Sequence, residues 1–243
     1  MRIQLIAFAS AGEALGNRGG GSASLELELD SGARISDLRR RLAEHHPELE
    51  GLWPRLAVAV DGTLAHGDTE LRDGCEVALL PPVSGGSSPS ATEVPAALAE
   101  ITDAPIDVAD VERRVASADC GAVLLFLGTV RDHHQGRSVA RLTYDAYRPM
   151  AREVLARIVR ELEEAGDRLR AAIVHRVGDV PVGQASVVIA IASPHREAAY
   201  AASRTALERL KKEAPIWKRE HYADGEIAWR EEEPLVAVPA SGP

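Results

Sequence analysis

Residues 77–92 read VALLPPVSGGSSPSAT, and this stretch divides the chain. Val77-Ala78-Leu79-Leu80 is a short apolar run of strand length, and Pro81-Pro82 ends it because proline has no N–H to give a sheet. From Val83 onward Gly, Ser and Pro dominate, which reads as a flexible boundary. The 243 residues thereby split into a first domain over 1–86, a linker over 87–104 and a second domain over 105–243.

Upstream of the boundary, Ile3 to Phe8 reads as a strand, and a glycine-rich loop from Gly16 to Gly21 leads to Leu25-Glu26-Leu27-Glu28-Leu29, whose strict alternation marks a half-buried strand. Ser36 is placed to cap a helix with Leu38 and Leu42 facing inward at i, i+4. Leu56 to Val60 is a further short strand, stopped by the turn signal Asp61-Gly62. Strand, strand, helix, strand, strand is the order of a β-grasp, the ubiquitin-like fold.

Downstream, Val108, Val111 and Val115 have helical spacing, and Ala122 to Leu127 is a continuous apolar run expected to be a buried strand. Leu142 to Tyr147 alternates as a strand, and Val154, Leu155, Ile158, Val159 and Leu162 mark a helix. Ala172 to Val177 and Val187 to Ala192 are strands, residues 195–214 a long helix, and Trp217 to Tyr222 and Ile227 to Trp229 two last strands. The second domain is therefore α+β.

Apolar residues are 45% of the chain and aromatics only 4%, so Leu, Val, Ile and Ala must build the cores. No apolar run approaches bilayer length, and MRIQLIAFAS lacks the longer apolar core of a signal peptide, so a cytoplasmic protein without a membrane is expected. Cys75 and Cys120 form no CxxC or Cys/His pattern, which argues against a metal site. The net charge is −9, and residues 1–86, with 8 Arg against 13 Asp and Glu, carry much of it. An acidic first domain is a poor nucleic-acid binder but suits a basic protein partner.

Lysine usage is lopsided. Lys211, Lys212 and Lys218 are the only lysines beside 25 arginines, and they share one eight-residue window. An ammonium can lose its proton and act as a nucleophile or acid/base, whereas guanidinium cannot, so this window is expected to need an amine. The stripe Tyr200, Ser203, Leu207, Leu210, Ala214 puts Lys211 on its edge and Lys212 opposite, which nominates Lys211. Thr129-Val130-Arg131, leaving a strand for the polar loop Asp132 to Arg137, can bind an anion through backbone amides and Arg131. His195-Arg196, after Ser193-Pro194 at a helix start, suits a phosphate.

These pieces combine into a resemblance. FLGTVRDHHQGRSVARLTYDAYRPMA (126–151), AAIVHRVGDVPVGQASVVIAIASPHREAAYAA (171–202) and LKKEAPIWKREHYADG (210–225) together resemble the large, catalytic subunit of molybdopterin synthase, in that family's order. Leu71 to Gly86, with its PPVSGG end, resembles the tail of the small subunit, a β-grasp sulfur carrier. The resemblance implies an enzyme of molybdenum cofactor biosynthesis that converts cyclic pyranopterin monophosphate into the molybdopterin dithiolene. It implies a carrier tail, Gly85-Gly86, whose terminal carboxylate an activating enzyme adenylates and turns into a thiocarboxylate. It further implies substrate contacts from Thr129, Val130, Arg131, His195 and Arg196, a catalytic amine at Lys211, assistance from Lys218, and Arg219 and Glu220 lining the site. No metal or organic cofactor is implied, and the large subunit of the family is a dimer with a carrier at each end.

Two departures matter. Gly86 is followed by more chain, and an internal peptide cannot become a thiocarboxylate, so either the chain is cut after Gly86, giving a heterotetramer, or a separate carrier serves the site. Cys75 stands where the family often has an acid. The rival readings are a non-enzymatic ubiquitin-like carrier or modifier fused to an anion-binding domain, and a phosphate-ester enzyme using the same cations.

Overall fold

Ile3, Leu5 and Ala7 alternate with more exposed neighbours along β1 (Arg2–Ala7), and all three are buried. This one-sided strand is the base of the first of two units into which a computed structural model, describing residues 1–17, 21–82 and 98–230, divides the chain. The Gly85-Gly86 tail lies outside the described residues.

In the first unit β1 is followed by α1 (Ala9–Ala14), β2 (Ala23–Glu28), α2 (Ile35–His45), α3 (Glu48–Leu52), a 3-10 turn at Trp53–Arg55, β3 (Ala57–Val60), β4 (Thr63–Leu64) and β5 (Glu76–Leu80). The sheet order is β2-β1-β5-β3-β4, with β5 parallel to β1 and the other pairs antiparallel. Leu38 and Leu42 of α2 close over Ile3, Leu5, Val77 and Leu79. This is the expected β-grasp. Asp61 and Gly62, both at positive φ, form the two-residue turn between β3 and β4.

Two local expectations change. The glycine-rich stretch before β2 is preceded by α1, which lies so close to β1 that a Cβ on Gly12 would sit 2.9 Å from the Ala7 carbonyl oxygen. Ser36 is not the cap of α2. It lies within the first turn and donates its N–H and its hydroxyl to the Asp68 carboxylate at 2.8 and 3.0 Å, while Asp37 accepts the Arg34 N–H at 2.9 Å. A distant acid thus supplies the capping charge, a contact that no local pattern encodes.

The second unit runs β6 (Ala99–Thr102), α4 (Val108–Val115), β7 (Ala122–Thr129), β8 (His133–His134), β9 (Arg137–Ala146), α5 (Arg148–Ala165), β10 (Arg170–Arg176), β11 (Gly178–Pro181), β12 (Ala185–Ser193), α6 (Arg196–Glu213), β13 (Ile216–Tyr222) and β14 (Ile227–Arg230). Residues 99–102, read from sequence as linker, pair in parallel with β10, because strand pairing rather than composition decides where the unit begins. One sheet has the order β6-β10-β12-β7, and a second has β11-β9-β13-β14 with β8 pairing β9.

The first of these sheets is covered on both faces. Val111 and Val115 of α4 pack on Ala172, Val174, Val188, Ala190 and Ala192, and α5 and α6 pack on the same strands. Its central strands β10 and β12 are therefore buried along almost their whole length, as their continuous apolar sequences require. β7 has an equally apolar sequence but is the outermost strand. The expected buried strand is instead half-exposed, with Val123 at 43% and Leu127 at 41%.

On α6 the buried positions are Ala199, Ala202, Ser203, Ala206 and Leu210. Tyr200, placed by sequence on the inward stripe, is 55% exposed. The small alanines let α6 lie close to the sheet, so the contact line runs one position away from the bulky residue. Among the described residues no helix is long and apolar enough to cross a membrane, and no group of three or more His, Cys, Asp or Glu gathers as for a metal.

Candidate active site

The geometry follows from a strand that goes out and a helix that comes back. β12 ends at Ser193, Pro194 and His195 make the connection, and α6 returns across β12 and β7. In the antiparallel β7–β12 pair, Ser193 faces Ala122 at one end and Ala185 faces Thr129 at the other. His195 and Arg196 therefore stand at the Ala122 end, both exposed, where a Cβ on Gly121 would lie 2.9 Å from the Pro194 carbonyl. Lys211, in the last turn of α6, stands at the Thr129 end. Fifteen residues of helix separate Arg196 from Lys211, about 22 Å at 1.5 Å per residue. Within one chain, the structure does not bring together the two groups of cations that the sequence expected around one substrate.

The Thr129 end gathers the rest. Beyond β7, Arg131 is exposed. Val130 is not available as expected: its N–H donates to the Gln184 carbonyl at 3.0 Å, its carbonyl accepts from Gly183 N–H at 2.8 Å, and its side chain is buried. The polar run 132–137 is a tight hairpin, β8 to β9, turning on Gln135 and Gly136 at φ 48° and 78°.

β13 carries the remaining candidates, and strand alternation sorts them. Lys218, Glu220 and Tyr222 share one face. Lys218 is paired across the ladder with Tyr144 of β9, and Glu220 with Leu142. Glu220 is 3% exposed and accepts a hydrogen bond from the Tyr222 hydroxyl at 2.5 Å, with His134 Nδ1 3.7 Å from its other oxygen. Arg219 belongs to the other face, 5.3 Å over the Trp229 ring, and His221 beside it meets Thr143 Oγ1 at 2.8 Å. Arg219 therefore lies on the face of β13 opposite Lys218 rather than beside it.

Beneath Lys218 lies a buried polar layer. The Tyr144 ring meets His175 edge-on at 5.1 Å, and its hydroxyl is hydrogen-bonded to Ser186, which in turn donates to the Gly128 carbonyl at 3.1 Å. Burial raises the Tyr144 phenol above its ordinary value, the Ser186 hydrogen bond opposes this, and the Glu220 charge adds to the rise. Burial lowers the His175 imidazole to about 4, so it is neutral near pH 7, with Nδ1–H donating to the Arg176 carbonyl at 2.8 Å. Burial also lowers His221, with Arg141 as the next cause. Sequence reasoning passed over Tyr144, His134 and Tyr222. For Tyr222 a signal existed, since it lies two and four positions beyond Glu220 and Lys218 in a strand. For Tyr144 none did, because its partner is set by register.

Over 127 residues the chain is 47% identical to the molybdopterin synthase catalytic subunit of Bacillus subtilis (strain 168), covering 52% of this chain and 81% of that one. The chain belongs to the molybdopterin synthase catalytic subunit family. The MoaE protein family model matches residues 101–213, and the ThiS family model matches residues 8–86. Catalytic subunit 1 of Mycobacterium tuberculosis (strain ATCC 25618 / H37Rv) is 41% identical over 125 residues, covering 51% of this chain and 85% of that one. The crystal structure of molybdopterin synthase from Staphylococcus aureus superposes with a TM-score of 0.54 at 37% identity, over 56% of this chain and 98% of that chain. A carrier-type domain and a catalytic domain of molybdenum cofactor biosynthesis thus stand in one polypeptide, and the chain is an enzyme, which sets aside the non-enzymatic alternative.

Proposed function

We propose that this chain transfers sulfur from a carrier thiocarboxylate to cyclic pyranopterin monophosphate, with Lys211 as the catalytic amine. What supports this reading is that Lys211 and Arg131 lie toward the Thr129 end of the β7–β12 pair and that Lys218 and Glu220 share one face of β13, in a chain whose only other lysine is Lys212. The substrate phosphate and the thiocarboxylate are both anions, and a cationic cleft lets them approach. Arg131 and Thr129 hold the substrate, Lys218 supplies a second positive charge, and Glu220 fixes the charge balance beside it. Two carriers deliver one sulfur each in turn, and each leaves as an ordinary carboxylate, its sulfur replaced by an oxygen from water or from the substrate carbon that takes the sulfur.

The carrier is the first unit of the same chain, freed by cleavage after Gly86 and charged by an adenylating, sulfurating enzyme. Intact-mass analysis of the protein from its native host tests this: a fragment ending at Gly86 with one oxygen replaced by sulfur is expected. Uncut chain alone would assign the carrier role to a separate protein.

A homodimer completes the site. β7 is an outer strand with Val123 and Leu127 exposed, an edge that invites a second copy. Two β7 edges paired antiparallel about a two-fold axis set the Arg131 end of one copy against the Ala122 end of the other. That arrangement brings His195 and Arg196 of a second copy toward Lys211, closing the gap of about 22 Å that α6 imposes within one chain.

A further inference from the structure

We infer that Tyr222, locked by Arg137, is a positioning residue that holds the Glu220 carboxylate in place beside Lys218. The inference rests on the sulfur-transfer reading above. Glu220 is 3% exposed, and a carboxylate out of water without donors takes up a proton or swings to find a partner. The Tyr222 hydroxyl, 2.5 Å from Oε2, is such a donor. Oε1 is turned toward His134 Nδ1 at 3.7 Å.

The phenol is itself held from outside. The Arg137 guanidinium stacks 3.7 Å from the Tyr222 ring centroid. Its Nη1 donates to Glu226 Oε1 at 3.0 Å, and its Nη2 donates to Glu226 Oε2 and Asp224 Oδ2, both at 2.8 Å. Asp224 and Glu226 belong to the turn between β13 and β14, so the guanidinium joins that turn to the start of β9. Backbone bonds from Ala223 N–H to Ser138 and from Tyr222 N–H to Glu226, both 2.9 Å, close the same corner. A ring stacked under this clamp and buried to 3% exposure has one place for its hydroxyl. The fixed negative charge then lies two residues along the same strand face from Lys218, where it favours a single approach to the substrate.

The test uses the full chain with cyclic pyranopterin monophosphate and a separately supplied Gly-Gly-ended carrier thiocarboxylate. Tyr222→Phe keeps the ring and the Arg137 stacking and removes only the hydroxyl. Its kcat is expected to fall about tenfold, with KM for the pterin within about twofold of wild type. The acid limb of its kcat–pH profile moves to higher pH, because an ionised Glu220 loses a donor. Charged and titratable groups facing Glu220 include His134 from β8, Tyr144 from β9, and Lys218 and Tyr222 from its own strand. In a Glu220→Gln background the same change has little further effect. Arg137→Gln, which releases the ring but keeps the hydroxyl, shows the same pH shift in smaller measure and serves if Tyr222→Phe fails to fold. Wild-type kcat and pH profile in both variants, or an equal loss in both Glu220 backgrounds, overturns the inference. An inactive wild-type chain would sink the sulfur-transfer reading itself, and this inference with it.

Discussion

The Arg157 guanidinium of α5 donates to Glu213 Oε2 of α6 at 2.8 Å, and the two side chains are only 7% and 14% exposed. Arg209 Nε meets the other oxygen of Glu213 at 2.8 Å, and Arg209 also pairs with Glu161 at 2.7 Å. Glu213 is the last residue of α6, two beyond Lys211 and five before Lys218. The pair therefore anchors the last turn of α6, from which Lys211 projects.

Arg157→Met takes one arginine from a buried acid that Arg209 also holds. Removing one partner of a buried pair costs about 3 kcal/mol, and the remaining arginine places this case at or below that figure. Urea unfolding measures the loss. Turnover is expected to fall as well, because the end of α6 loses an anchor; a variant as stable and active as wild type would show that the pair positions nothing.

His175 sets an acid limit on stability. In the native state burial holds it neutral down to about pH 4, whereas in the unfolded chain it takes a proton near 6.5. The unfolded state binds more protons between those values, so stability is fully present above about pH 6.5 and drains away as pH falls to about 4. The loss over that window is about 3 kcal/mol. Unfolding free energies of wild type and His175→Phe, measured from pH 4 to 7, are expected to differ in slope; parallel curves would remove His175 as the cause.

Lys211 and Lys212 are neighbours to which the proposed mechanism gives unequal duties. Lys211→Ala is expected to lower sulfur transfer by about a hundredfold or more, and Lys212→Ala to stay within about twofold of wild type. Single-turnover formation of the dithiolene reads both. Equal rates for the two variants would end the assignment.

Completion of the site by a second copy has its own signature. A Lys211→Ala chain and a His195→Ala chain are each inactive as homodimers. In a mixed dimer, one of the two sites has an intact Lys211 and an intact His195 from opposite copies. Re-equilibrated mixtures are expected to regain about a quarter of wild-type activity. Leu127→Lys, on the exposed edge of β7, is expected to give monomers by light scattering and to abolish the recovery. Mixtures that stay inactive while dimers form would show that Lys211 and His195 of one site do not come from opposite copies.

Much of this was legible in the chain itself. Periodicity located the helix at 148–165 and the strands at 170–176, 185–193 and 216–222, because burial on one or both faces is written into apolar spacing. The shared window of Lys211, Lys212 and Lys218 drew the proposed amine out of a chain that otherwise uses arginine. The PPVSGGSSPS stretch marked the passage between units. Local composition and spacing determine such features, and they need no knowledge of distant partners.

Tertiary structure alone decided the rest. It made β7 an edge although its sequence reads as buried, and capped α2 with Asp68 rather than Ser36. It also paired Tyr144 with Lys218 and Tyr222 with Glu220. Each of these depends on strand order, register or helix direction, which couple residues far apart in sequence. A local pattern fixes which side of its own element a residue occupies, but not what stands across from it.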